Sequence, residues 1–286
     1  MLPEIVAIFS AMGWAGDSVL VRLGARKSNI LAAMLVSFSI SATCIWSYLL
    51  LFSSLDFLRS PAMYYFLVSG CLQPLVARAL FYVGLTRMGV SRAGPLRGAE
   101  PLFAAAIAVI FLHERPTMLV YVGTILIVAS VWVISWTKSG QAHWRPIDLA
   151  FPLGAALVSA VSQNLRKRGL LILPDPFVAT VITTSMSLAL FLIYLFSARK
   201  TNLLRMDRES APFFIGAAFI ATLAQVLNFV ALGRGEVSVI IPLLNTSPLF
   251  TVFFSSIFLQ GVEKVSLRIV LGAILMVAGM ATIASR

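Results

Sequence analysis

Polar side chains embedded in apolar runs are the residues in this sequence that could do chemistry. Asp17 lies late in the first run, Gln73, Pro74 and Arg78 inside another, and Arg97, Glu100 and Pro101 inside a third. Ionisable groups in membrane-length apolar sequence are costly unless they face a packed interior or water. Arg97 and Glu100, three apart, can share a helix face and reduce that cost. The amides of Gln73, Gln163, Gln225, Asn228 and Asn245 can both donate and accept hydrogen bonds. Trp14 and Tyr82 add aromatic surface. This set suits reversible recognition of a small molecule, with Gln73, Arg78, Gln225 and Asn228 the leading contacts, then Trp14, Tyr82, Glu100, Gln163 and Asn245. Asp17 is a candidate coupling or charge site. Bond-making chemistry has no counterpart here: no paired carboxylates, nucleophile and base, or metal spacing occurs. His113 and Glu114 stand in a short polar turn without ligand spacing. No enzyme activity, metal or cofactor is expected.

The elements that carry these residues follow from composition. The chain has 286 residues, 59% hydrophobic and 12% charged, with mean hydropathy +0.95. That is a membrane protein, and its apolar runs of about 20 residues recur along the whole length. The net charge of +11 resides mostly in short loops, where Lys and Arg orient spans and meet anionic lipid. Nucleic acid is therefore not an expected partner, and no obligate protein partner is evident. Arg166-Lys167-Arg168 is read as such loop charge, after a span over about 147–165. Cys44 and Cys71 are expected to be buried thiols, and Trp46 and Tyr48 interface anchors. The first run reads as a transmembrane helix rather than a removed signal.

An internal repeat organises the runs. At a constant offset of 147, Ala77, Leu80, Val83, Leu85 and Arg87 return as Ala224, Leu227, Val230, Leu232 and Arg234. Pro95, Pro101 and Phe111 return as Pro242, Pro248 and Phe258. The expected fold is an all-α polytopic membrane protein with ten transmembrane helices in two inverted five-helix repeats. Residues 1–137 form the first repeat, 138–146 the inter-repeat loop and 147–286 the second repeat. Five spans per repeat invert the second, the arrangement that gives two alternative packings, one open to each side. Pro74, Pro95, Pro101, Pro242 and Pro248 are expected conformational hinges. The chemistry is repeated less faithfully: Gln225 replaces Arg78, Asn228 replaces Phe81 and Ser247 replaces Glu100.

Trp14-Ala15-Gly16, the Pro95 and Pro101 pattern and Phe111-Leu112-His113-Glu114, with Phe258-Leu259-Gln260-Gly261 and a displaced Glu263 in the second half, carry a resemblance. The chain resembles the EamA-type, ten-helix branch of the drug/metabolite transporter superfamily, and within it bacterial exporters of amino acids such as the aromatic-amino-acid group. The resemblance implies a multi-pass protein of the bacterial inner membrane and a central cavity lined by spans 1, 3, 4, 6, 8 and 9. The implied activity is alternating-access export of amino acids or related small amphipathic metabolites. The rival expectation is export of cationic or aromatic drugs, with proton coupling as an option. Loop charge puts the Arg22, Arg26, Lys27 side in the cytoplasm, whereas ten-helix relatives imply cytoplasmic termini, so orientation stays open.

Overall fold

The computed structural model describes residues 2–53, 55–88, 90–135, 145–198, 206–258 and 267–286. Most of the inter-repeat loop, residues 199–205 of the charged connector, and Glu263 lie outside them.

The helices are α1 (Leu2–Gly24), α2 (Ile30–Phe52), α3 (Ala62–Gly70), α4 (Ala77–Met88), α5 (Val90–Arg97), α6 (Glu100–Phe111) and α7 (Met118–Ser135). In the second half they are α8 (Ala150–Ile172), α9 (Pro176–Ser197), α10 (Ala211–Arg234), α11 (Val237–Leu244), α12 (Ser247–Phe258) and α13 (Leu267–Ala284). Eight helical segments among the described residues are long and apolar enough to cross a membrane, and two apolar helices, Glu100–Phe111 and Met118–Ile134, are shorter.

Proline placement explains where helices break. Between α3 and α4, Cys71–Val76 forms a wide turn in which Gln73 is extended, with φ −132° and ψ 128°. Pro74 follows it and has no amide hydrogen to continue the ladder. At the repeat-related position α10 has Ala221 and runs unbroken. The α5–α6 break falls at Gly98–Ala99 and the α11–α12 break at Asn245–Thr246, the same offset of 147 apart. Pro101 opens α6, where a missing amide hydrogen is harmless. Pro242 lies inside α11, just before that helix stops.

Small residues let the helices approach. Ala7, Ala11 and Ala15 recur every fourth residue on one face of α1 and are fully buried. That stripe suits close packing against α10, where the Ser10 hydroxyl donates to the Ala224 carbonyl at 2.7 Å and Gly13 backs onto Ala224. α8 packs on α3 and α4 as α1 packs on α10, and α9 on α3 as α2 on α10. Gly24 lies against the Phe214 ring and Gly169 against the Phe66 ring. To one side α7 pairs with α13. A Cβ on Gly123 would lie 2.7 Å from the Gly279 carbonyl oxygen, and one on Gly279 would lie 2.8 Å from that of Gly123.

Two minor expectations change. Cys44 of α2 is exposed, and Cys71, at the start of the wide turn, is half-buried. Trp46 donates its indole N–H to Ser185 Oγ of α9 at 3.0 Å and so joins α2 to α9.

Candidate functional site

A cavity of ≈ 720 Å³ lies between the helices. Trp14, Asp17 and Arg22 reach it from α1, Gln73 from the wide turn, and Arg78 and Tyr82 from α4. Glu100 enters from the start of α6, Gln163 from α8, Gln225 and Asn228 from α10, and Asn245 from the α11–α12 break. All nine polar and aromatic residues named from the sequence as contacts therefore border one space, together with Asp17. Residues of α2 and α9, including Ser41 and Thr184, also line it, which extends the six spans implied by the resemblance. The turn at Gln73 and the breaks before Glu100 and after Leu244 fall at the cavity wall, so each interruption presents a polar residue there.

Charges of both signs border the cavity. Arg97 donates through Nη1 to Glu100 Oε2 at 2.6 Å and through Nη2 to Ser159 Oγ at 2.6 Å. Glu100 is 5% exposed, and this pairing is what makes its burial tolerable. Asp17 interacts electrostatically with Arg78, and Glu100 with Arg166. Not every amide is idle: Asn245 Nδ2 donates to the Ile241 carbonyl at 3.0 Å, closing its own helix.

Arg166 is the residue that sequence reasoning missed. α8 continues to Ile172, so the basic triplet is helical, not a loop. Arg166 is 4% exposed and lines the cavity, while its guanidinium lies 5.3 Å from the centre of the Phe229 ring. Lys167 donates to the carbonyls of Leu232 and Gly235, both at 2.8 Å, and so closes the end of α10. The available signal was spacing: Ser159, Gln163 and Arg166 recur at i, i+4 and i+7, one polar helix face.

The cavity runs to Arg22, Ala25 and Ile30, where α1 gives way to α2. The opposite end is tied together. His113 ends α6 with φ 56°, and the Glu114 amide reaches back to the Ala108 carbonyl at 3.2 Å. This turn aims the Glu114 carboxylate at the start of α11. It accepts from the Val237 amide at 2.7 Å, the Ser238 amide at 3.0 Å and the Ser238 hydroxyl at 2.7 Å. Arg286 bridges Glu4 at 2.8 Å and Glu236 at 3.2 Å. Among the described residues no group of three or more His, Cys, Asp or Glu could hold a metal.

The model of the EamA-like transporter family matches residues 1–136 and again residues 147–285. The chain belongs to the EamA-like transporter family. It is a multi-pass membrane transporter, and members of this family are transporters rather than enzymes. A solved protein described only as "Crystal structure of protein" superposes on this EamA-like chain with a TM-score of 0.79 at 14% identity, covering 98% of this chain and 95% of its own. At that identity the likeness speaks for the fold alone. No curated protein matches this transporter.

Proposed function

We propose that this transporter exports amino acids or related small metabolites across a bacterial inner membrane by alternating access around the central cavity. The observation that carries the reading is the convergence of separate polar interruptions on one space of ≈ 720 Å³, within the roughly 300–1,000 Å³ usual for small-molecule sites. In this reading the Arg22 end admits cargo while the Glu114, Lys167 and Arg286 contacts seal the other. Rocking of α3–α6 and α10–α12 about the proline breaks would exchange the two.

The reading takes the chain as ten spans, with 1–137 and 147–286 as inverted repeats around the loop 138–146. α5 and α6 form one broken span, as do α11 and α12. Two features support this. The contacts of α1 and α2 on α10 have counterparts in those of α8 and α9 on α3. The Gly24–Phe214 approach likewise has a counterpart in Gly169–Phe66.

Cationic drugs are the weaker cargo. They would need uncommitted carboxylates, but Glu100 is bonded to Arg97, and Arg22, Arg78 and Arg166 border the same cavity. A neutral or zwitterionic molecule suits paired charges and amides better. The test is uptake of labelled threonine, methionine, phenylalanine and tryptophan into vesicles containing the purified protein, with and without a proton gradient. Saturable flux of at least one is expected, and its response to the gradient separates passive transport from coupling. Absence of flux for all four in active, correctly reconstituted protein would overturn the amino-acid assignment.

A further inference from the structure

Three residues that line the cavity each carry a buried polar atom with unmet hydrogen-bonding capacity. Among the described residues, Arg166 Nε, Gln73 Oε1 and Asn228 Oδ1 have no hydrogen-bond partner. Besides its contact with the Phe229 ring, Arg166 makes one long hydrogen bond among the described residues, 3.5 Å from Nη1 to Gln163 Oε1, although a guanidinium has five N–H donors. Leaving buried donors and acceptors unmade is costly, and all the more so beside a buried charge.

The charge balance points the same way. Glu100 is bonded to Arg97, so this carboxylate does not fully compensate a second buried cation. Arg97 and Arg166 against Glu100 leave one positive charge in excess at this part of the wall. The surplus matches a single carboxylate rather than a doubly charged phosphate. The two amide oxygens, by contrast, call for a donor, and an ammonium supplies up to three.

We propose that Arg166 seats the carboxylate of a zwitterionic amino acid whose ammonium is received by the amide oxygens of Gln73 and Asn228. The inference rests on the amino-acid reading above and adds to it the polarity of the bound cargo. It makes Arg166 a specificity-determining residue: its planar fork suits a carboxylate in two-point contact. The aromatic and apolar parts of the wall, Trp14, Phe81 and Tyr82, are left for the cargo side chain.

The experiment is counterflow in vesicles, using whichever of threonine, methionine, phenylalanine or tryptophan gives the largest flux. The competitors are that amino acid, its decarboxylated amine and its deaminated acid. In the parent protein the intact amino acid should compete best. Arg166→Gln should weaken the amino acid and the deaminated acid by at least about tenfold, from loss of charge-assisted hydrogen bonds, and leave the amine nearly unchanged, with Arg166→Lys intermediate. Asn228→Leu should do the reverse, weakening the amino acid and the amine but sparing the deaminated acid. Should Arg166→Gln fail to fold, Asn228→Leu and Arg166→Lys carry the test. Equal weakening of all three competitors by both Arg166→Lys and Asn228→Leu would overturn the proposal, as a merely structural role would produce it. Parent flux with unaltered competitor preferences in the variants would overturn this inference alone. Absence of amino-acid flux in the parent would overturn it together with the reading on which it rests.

Discussion

Replacing Glu114 by Gln should loosen the end of the bundle where the described contacts hold it closed. The carboxylate accepts three hydrogen bonds from Val237 and Ser238 at the start of α11. An amide retains one acceptor oxygen and turns an N–H₂ towards groups that are themselves donors. The loss is at least one charge-assisted bond, roughly 1.5–3 kcal/mol, plus about 0.3–1 kcal/mol of attraction between the carboxylate and the helix N-terminus. If these bonds exist only with that end closed, about 2 kcal/mol shifts the equilibrium towards the other state by roughly 30-fold. The assay uses Leu244→Cys, a half-buried position on the cavity wall, with Cys44 and Cys71 replaced by Ser. A membrane-impermeant thiol reagent is applied from each side separately. Labelling from the Glu114 side should accelerate severalfold or more in Glu114→Gln, while labelling from the Arg22 side persists and shows that the protein is folded. Unchanged rates from both sides would refute the idea that Glu114 holds this end closed.

Three further outcomes follow from the packing and the site. Arg97→Met should destabilise the protein by up to about 3–5 kcal/mol, because it removes the hydrogen-bonded partner of the buried Glu100 carboxylate and leaves Arg166 as its neighbouring cation; the double variant Arg97→Met/Glu100→Met should regain much of that in thermal unfolding in detergent, and a double variant no more stable than the single would contradict this role of the pair. Gly279→Ala should lower the unfolding temperature, since its Cβ would sit 2.8 Å from a backbone oxygen, whereas Gly16→Ala, with nothing nearer than 3.6 Å, should be tolerated. Gln225→Leu removes a polar group from the cavity wall and should weaken cargo affinity by roughly tenfold; unchanged affinity and turnover in vesicle transport would remove Gln225 from the site.

The sequence carried the cavity residues because burial of polar groups in apolar helices is expensive wherever it occurs. Asp17, Gln73, Arg78 and Glu100 could be picked out without knowing what they face, and the structure brings them to one space. The breaks were legible for a similar reason. Pro74 interrupts the α3–α4 segment while Ala221 leaves α10 whole, a difference written in single residues. Arg166 was not legible from its neighbours, since three successive cations look like a solvated helix end. Only the packing of α8 against α10 shows that Arg166 turns inward, Lys167 caps a neighbouring helix and Arg168 alone is exposed. The role of Glu114 was hidden too, because its partners lie 123 and 124 residues away. No local pattern encodes such a contact.

Protection of the cavity by cargo is the most direct test that amino acids cross through it. With Gln225→Cys in the background lacking Cys44 and Cys71, the thiol-labelling rate is measured with and without a saturating amount of a transported amino acid. Cargo should slow labelling, with half-protection near the concentration that half-saturates flux in the same variant. Transport that proceeds while cargo leaves the labelling rate untouched would show that the amino acid crosses elsewhere.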